Sequence, residues 1–275
     1  MQKEYLSAPL PFVGQKRMFA KEYKNILNTI EDANIFVDLF GGSGLLSHIT
    51  KRQKPDATVV YNDFDNYRHR LDHIHNTNSI LKELRNLTKN ELYGKLISST
   101  AKMRILSFLE KKEKDLGFID YITLSSSLLF PMKYVLSLHG LRKESMYNRI
   151  KKNDYYCNGY LDGLEITQCD YRKLFEKYRD RNDVVFLVDP PYLSTDVRTY
   201  KMHWNLSDYL DVLKILNGQR YIYFTSAKSS IIELCDWLGK NKDIGNPFEN
   251  AFRKEVNTHM NHNSQYTDIM LCNIA

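Results

Sequence analysis

Two stretches of the chain share one pattern: an unbroken apolar run rich in β-branched residues, a polar or glycine-rich break, and then apolar residues at helical spacing. In the first, Ile35-Phe36-Val37-Asp38-Leu39-Phe40 reads as a buried strand, and Gly41-Gly42-Ser43-Gly44 as a turn that opens a helix. Thr58-Val59-Val60-Tyr61 predicts a second strand that stops at Asn62-Asp63, before a long helical stretch through Leu71, Ile74 and Ile80 towards Leu84. In the second, Val184-Val185-Phe186-Leu187-Val188 is a fully apolar strand that ends at Asp189-Pro190-Pro191-Tyr192. A helix over about 207–216, a strand from Tyr221 to Phe224 and a helix around 231–238 follow it. Near the C-terminus, Arg253 to Thr258 and Thr267 to Cys272 flank the polar Asn261-His262-Asn263-Ser264, which predicts a hairpin. Strands apolar on both faces belong in parallel sheets covered by helices. The predicted fold is therefore α/β: a mostly parallel, doubly wound sheet with an antiparallel C-terminal hairpin.

Between the two stretches the helical patterns are basic, with Lys102, Arg104, Lys111, Lys112, Lys114, Lys133, Arg142, Lys143, Arg149, Lys151 and Lys152 outnumbering the acids. A single residue of such a run suits a solvated helix face; the segment as a whole suits an insertion that grips phosphates. Residues 85–160 are accordingly predicted to form an inserted basic helical domain, leaving 1–84 and 161–275 to the sheet domain. The 275 residues, 43% hydrophobic and 12% aromatic, are enough for a real core, and the formal charge of +6 favours a polyanionic partner only mildly. The four cysteines have no CxxC spacing, and the histidines His259 and His262 lack cysteine partners, so free thiols and no metal site are expected. No signal segment or membrane-length apolar run is visible, which predicts a soluble, cytoplasmic protein with no membrane partner.

Candidate chemistry gathers at the ends of the predicted strands, where ligands bind in open parallel sheets. The two prolines of Asp189-Pro190-Pro191-Tyr192 cannot continue a ladder and leave a rigid turn with uncommitted carbonyls. The Asp189 carboxylate and the Pro190 carbonyl are acceptors suited to holding an exocyclic amine, and Tyr192 offers a face for a base to stack on. Phe40-Gly41-Gly42-Ser43-Gly44 allows close backbone approach to a ligand at a helix N-terminus, and Asp63 ends the second strand, where an acid accepts ribose hydroxyls. That pair argues for an adenosine-containing cofactor without choosing between a nicotinamide dinucleotide and S-adenosylmethionine. Upstream, Pro11-Phe12-Val13-Gly14-Gln15-Lys16 combines an apolar ring with a cation. Met202-His203-Trp204 suits either a loop closing over a base or a packed loop.

The ordered set PFxGxK, FxGxG, an acid after the second strand and DPPY resembles the Dam-like, D12-class adenine-N6 DNA methyltransferases of bacteria and phages. The resemblance spans about residues 9–80 and 164–272, with the basic segment standing where that family has its target-recognition domain. It implies a Rossmann-like domain, S-adenosylmethionine as donor, double-stranded DNA as substrate, base flipping and no metal. It also implies that Asp189, Pro190, Pro191 and Tyr192 are catalytic. Cofactor contacts would come from Phe12, Lys16, Asp38, Phe40, Gly41, Gly42, Ser43, Gly44, Asp63 and Asp189, and, by a looser match, from Asp170. Such enzymes can have a restriction endonuclease partner. A methyltransferase acting on cytosine N4 or on RNA adenine, and a catalytically silent DNA-binding relative, are the alternatives.

Overall fold

The computed structural model describes residues 4–191, 204–227, 229, 231–240, 246–261 and 264–274. In chain order the elements are α1 (Ala20–Thr29), β1 (Ile35–Asp38), α2 (Leu45–Gln53), β2 (Thr58–Asn62), α3 (Tyr67–Asp72), α4 (Ile74–Leu87), α5 (Ser99–Leu116), α6 (Tyr121–Leu128), α7 (Leu138–Lys143), β3 (Glu165–Thr167), α8 (Tyr171–Tyr178), β4 (Val184–Val188), α9 (Leu206–Leu216), β5 (Tyr221–Ser226), α10 (Ile231–Lys240), β6 (Phe252–Asn261) and β7 (Ser264–Asn273). They divide into two compact units, Met1–Ala8, Gly14–Tyr67 and Gly159–Ala275 in one, and Pro9–Val13 and Arg68–Asn158 in the other.

The first unit holds a seven-stranded sheet of order β3-β2-β1-β4-β5-β7-β6. From β3 to β5 the neighbours run parallel, and β7 pairs antiparallel with both β5 and β6. Its central strands alternate between two cores with the period of two that a strand imposes. Ile35, Val37, Val184, Phe186 and Val188 pack on one face with residues of α8 and α9, while Phe36, Val185 and Leu187 pack on the other with residues of α1 and α2. Helices on both faces make the unit an α/β, Rossmann-like, mostly parallel sheet with an antiparallel C-terminal hairpin, as the pattern predicts. The chain winds from β1 through β2 to β3 and then lays β4 on the other side of β1. Winding therefore reverses between β1 and β4, which opens a crevice at their carboxyl ends.

The second unit is helical, and its ends are set by side-chain caps: Ser98 accepts from the Ala101 amide ahead of α5, Asp120 from Thr123 ahead of α6, and Ser137 from Gly140 ahead of α7. Gly117 stops α5 in the left-handed conformation, at φ 70°. A buried ion pair, Arg70 Nε to Asp120 Oδ1 at 3.1 Å, ties the unit together, and the same guanidinium donates to the Pro11 carbonyl at 2.9 Å and the Thr123 hydroxyl at 3.2 Å. Two expectations change. The unit begins at Arg68 rather than near 85, because α4 packs on α5, which packs in turn on α7. The helical stretch expected through 71–84 is broken at His73, where φ −98° and ψ 16° leave the helical region. Among the described residues no helix is long and apolar enough to cross a membrane.

Candidate active site

The ends of β1 and β4 are hydrogen-bonded neighbours: Asp38 is in register with Leu187, and the Leu39 amide donates to the Leu187 carbonyl at 3.0 Å. The turns that follow these strands therefore start side by side. After β1 the chain folds back on itself, with the Gly44 amide donating to the Gly41 carbonyl at 2.7 Å. Gly42 and Gly44 take φ of 50° and 73°, values that side chains rarely adopt. Gly41 is required for a different reason. A Cβ there would lie 2.3 Å from the Tyr61 ring and 2.7 Å from the Asn62 carbonyl oxygen, so its bareness serves packing on β2. Gly44 precedes α2 and supplies no side-chain cap, which leaves the first-turn amides and the positive end of that helix to other partners.

Two carboxylates and one ammonium occupy this crevice. Asp38 is fully buried; its Oδ2 accepts from the Ser47 hydroxyl at 2.6 Å, and its Oδ1 has no hydrogen-bond partner among the described residues. Burial lifts its carboxyl from 3.8 to about 7, against the Ser47 hydrogen bond and with a further push from the negative charge of Asp189. Asp189, just past β4, pairs at 2.6 Å with Lys16, whose side chain is 5% exposed and also donates to the Gly14 carbonyl at 2.7 Å. Burial outweighs the pull of Lys16 and, with Asp268 adding to it, raises the Asp189 carboxyl to about 6. Next along the chain, Pro190 is buried and the Pro191 carbonyl accepts from the buried Tyr209 hydroxyl of α9. Tyr192, Met202 and His203 lie outside the described residues.

Asp63, past β2, is wired to the glycine turn. The Tyr61 hydroxyl lies 3.0 Å from Asp63 Oδ1 and 2.9 Å from the Gly42 carbonyl, and the Tyr67 amide donates to the same Oδ1 at 2.6 Å. Asp170 follows β3 and acts as the N-cap of α8, accepting from the Arg172 amide at 2.8 Å and pairing with the Arg172 guanidinium at 3.4 Å. Phe40 leaves β1 to join an aromatic group: its ring centroid is 4.9 Å from Tyr171 and 5.4 Å from Trp204, which packs on Tyr209 at 5.1 Å. The buried Tyr171 hydroxyl oxygen, like Asp38 Oδ1, has no hydrogen-bond partner among the described residues. Ser43 is buried, and its carbonyl accepts from the Tyr160 hydroxyl at 2.9 Å.

Lys16, Asp38, Phe40–Gly44, Asp63, Asp170 and Asp189–Pro191 thus all lie in the sheet unit, at or just past the carboxyl ends of β1 to β4 or, for Lys16, paired with Asp189. Phe12 does not: it belongs to the second unit, with Pro9–Val13. Sequence reasoning missed Asn62, whose side-chain amide donates to the Leu39 and Cys169 carbonyls at 3.0 and 2.9 Å and whose oxygen accepts the Cys169 amide at 3.0 Å. It also missed Tyr61, Tyr171 and Tyr209. An asparagine ending an apolar strand was the one visible sign. No group of three metal-binding side chains occurs among the described residues.

An open, mostly parallel sheet reversed at β1/β4, with a glycine turn and acids on adjacent strand ends, is a Rossmann-like site built for an adenosine-bearing ligand. A family model described as "D12 class N6 adenine-specific DNA methyltransferase" matches residues 12–216, and the chain belongs to that family. It is 37% identical over 283 residues to a Haemophilus influenzae protein named "Putative methyltransferase", covering 98% of this chain and 93% of that one. A solved structure of an rRNA methylase from Streptococcus thermophilus aligns over 95% of this chain and 99% of its own, at 10% identity and a TM-score of 0.35, a likeness too slight to bear on fold or function.

Proposed function

We propose that the protein transfers a methyl group from S-adenosylmethionine to the N6 amine of an adenine in double-stranded DNA, with the target base turned out of the helix. One observation carries the reading: the acid-and-glycine turn after β1 and Asp189 after β4 stand on adjacent, hydrogen-bonded strands. Family membership supports the chemistry. The residues suit the cofactor. Asp38 Oδ1 and the Tyr171 hydroxyl are buried polar atoms without hydrogen-bond partners among the described residues, and the uncapped start of α2 adds amide donors. A cationic, adenosine-bearing molecule meets those needs. The cofactor supplies an electrophilic methyl group when bound.

The chain's own groups would do the rest. Adenine N6 is a poor nucleophile because its lone pair is delocalised into the ring. Asp189 and the Pro190 carbonyl would accept the N6 hydrogens and turn the lone pair out of conjugation, with Tyr192 as the stacking face. Once methylated, the N6 nitrogen would have a proton to shed, and Asp189, with its carboxyl near 6, would accept it and pass it to solvent. Lys16 would keep Asp189 ionised and in place beforehand. Holding the amine turned towards the donor would be the chain's main contribution, and orientation of this kind can supply roughly 7 to 11 kcal/mol of barrier.

The test is Asp189→Ala, with incubated DNA digested to nucleosides. Methyladenine formation should fall by about a thousandfold or more while cofactor and DNA binding survive in part. Undiminished turnover, or methylcytosine as the product, would overturn the assignment, and methylation confined to RNA would move the substrate.

A further inference from the structure

Behind the glycine turn stands a group of rings that the proposed chemistry does not use: Tyr5, His48 and Tyr160. Tyr160, expected within the insertion, belongs to the sheet unit, which resumes at Gly159. Its side chain is buried, and its hydroxyl donates to the Ser43 carbonyl at 2.9 Å. Burial pushes that hydroxyl well above the ordinary tyrosine value, so its hydrogen is there to donate at any physiological pH.

The placement of Tyr160 is set from α2. The His48 imidazole stacks on the Tyr160 ring, with centroids 4.8 Å and planes 20° apart, and its Nδ1 donates to the Tyr160 carbonyl at 2.7 Å. That fixes the tautomer: Nε2 is the acceptor and takes the Tyr5 amide at 3.1 Å. Tyr5 closes the group edge-on, 5.1 Å from the Tyr160 ring. One turn further along α2, Arg52 donates to the Gly159 carbonyl at 2.8 Å, so the returning chain is fastened to the helix at two points.

What Tyr160 holds is a peptide that could otherwise turn over. Glycine accepts either sign of φ, so in Gly41-Gly42-Ser43-Gly44 a flip of the Ser43–Gly44 peptide costs little by itself. Here both ends of that peptide are taken, the Ser43 carbonyl by Tyr160 and the Gly44 amide by the Gly41 carbonyl at 2.7 Å. Tyr61 has a looser hold on the preceding peptide, because its one hydrogen is shared between the Gly42 carbonyl at 2.9 Å and Asp63 at 3.0 Å. We propose that Tyr160 is a positioning residue for the cofactor: its hydroxyl locks the Ser43–Gly44 peptide and keeps the glycine turn in its binding shape before S-adenosylmethionine arrives. The inference rests on the cofactor reading above and adds the residue that preorganises the turn.

Without the lock, ordering of the turn is deferred from folding to binding, and affinity falls. Tyr160→Phe keeps the ring and its stack on His48 and deletes only the hydroxyl. Calorimetric titration of the full chain with S-adenosylmethionine should show binding about three- to tenfold weaker in this variant, the size of one net hydrogen bond. The KM for S-adenosylmethionine in methyl transfer should rise by a similar factor with kcat within about twofold of wild type, because the turn holds the cofactor alike in ground and transition states. In the ligand-free chain, hydrogen exchange resolved to single residues should find the Gly44 amide protected in wild type and about tenfold faster in Tyr160→Phe, with the amides of β1 and β2 unmoved. Wild-type affinity in folded Tyr160→Phe, or a loss of kcat with affinity intact, would overturn the lock. An unprotected Gly44 amide in the wild-type chain would do the same without any variant. So would protection lost evenly across the sheet with affinity unchanged, which would make Tyr160 a core residue only. If the wild-type chain binds no S-adenosylmethionine, the cofactor reading fails and takes this inference with it; if it binds and the variant is unaffected, only the lock fails.

Discussion

The two units use charge in opposite ways. In the sheet unit the ionisable groups that matter are enclosed: Asp38, Asp63 and Lys16 are buried, and Asp189 is mostly so. Two of those carboxyls are pushed far up by burial. In the helical unit the excess positive charge lies mainly on exposed side chains, and the one deeply buried pair, Arg70 with Asp120, has no role at a strand end. Enclosed charge is costly and is kept where its reactivity or direction is used, while exposed charge costs little and acts at long range. The difference teaches that enclosed and exposed charge are allotted to separate pieces of the chain.

That division can be broken most severely at Asp120. Asp120→Ala strands a buried guanidinium and removes the cap of α6, and should cost about 3–5 kcal/mol. Hydrogen exchange should then show the helical unit opening while β1, β4 and β5 stay protected; uniform loss of protection would deny the units their independence. A smaller effect sharpens the comparison through pH. The Asp38 carboxyl, near 7 when folded and 3.8 ordinarily, holds a proton between about pH 4 and 7 that the unfolded chain has already released. The stability it contributes is present below about pH 4 and declines as pH rises to 7, at up to about 1.4 kcal/mol per pH unit. Asp38→Asn should flatten that decline in urea titrations at pH 5 and 7.5, apart from a remainder due to Asp189; an equal slope in wild type and variant would show that Asp38 is ionised throughout. The mildest test lies in the helical unit, where Ser98→Ala removes the α5 cap for about 1 kcal/mol, read as a shift in the urea midpoint with no change in methyl transfer.

The sheet was legible because its strands are buried on both faces, and continuous apolar runs such as Val184–Val188 have no other comfortable place. Glu165–Thr167 was not legible: three residues with one isoleucine give no period, and only pairing with β2 makes them a strand. The acids at strand ends could be read, since each closes an apolar run or opens a turn. The groups that hold the backbone beside them could not. Tyr209 reaches Pro191 and Asn62 reaches Cys169 across long stretches of chain, and no local spacing encodes such partners. The basic segment was legible as charge but not as surface. Lys102 donates to the Glu144 carbonyl, and Arg142 and Lys133 pair with Glu110 and Glu144, so part of that charge is spent within the unit.

The helical unit leaves the sheet unit's chain at Tyr67 and hands it back at Gly159, but it also claims Pro9–Val13, whose Pro11 carbonyl is held by Arg70. A chimaera made by swapping only residues 68–158 for another insertion would leave that short N-terminal stretch without its guanidinium. Grafting the helical unit elsewhere is therefore a two-site operation, in which the distant N-terminal pentapeptide has to travel with residues 68–158 or be re-fitted to its new host.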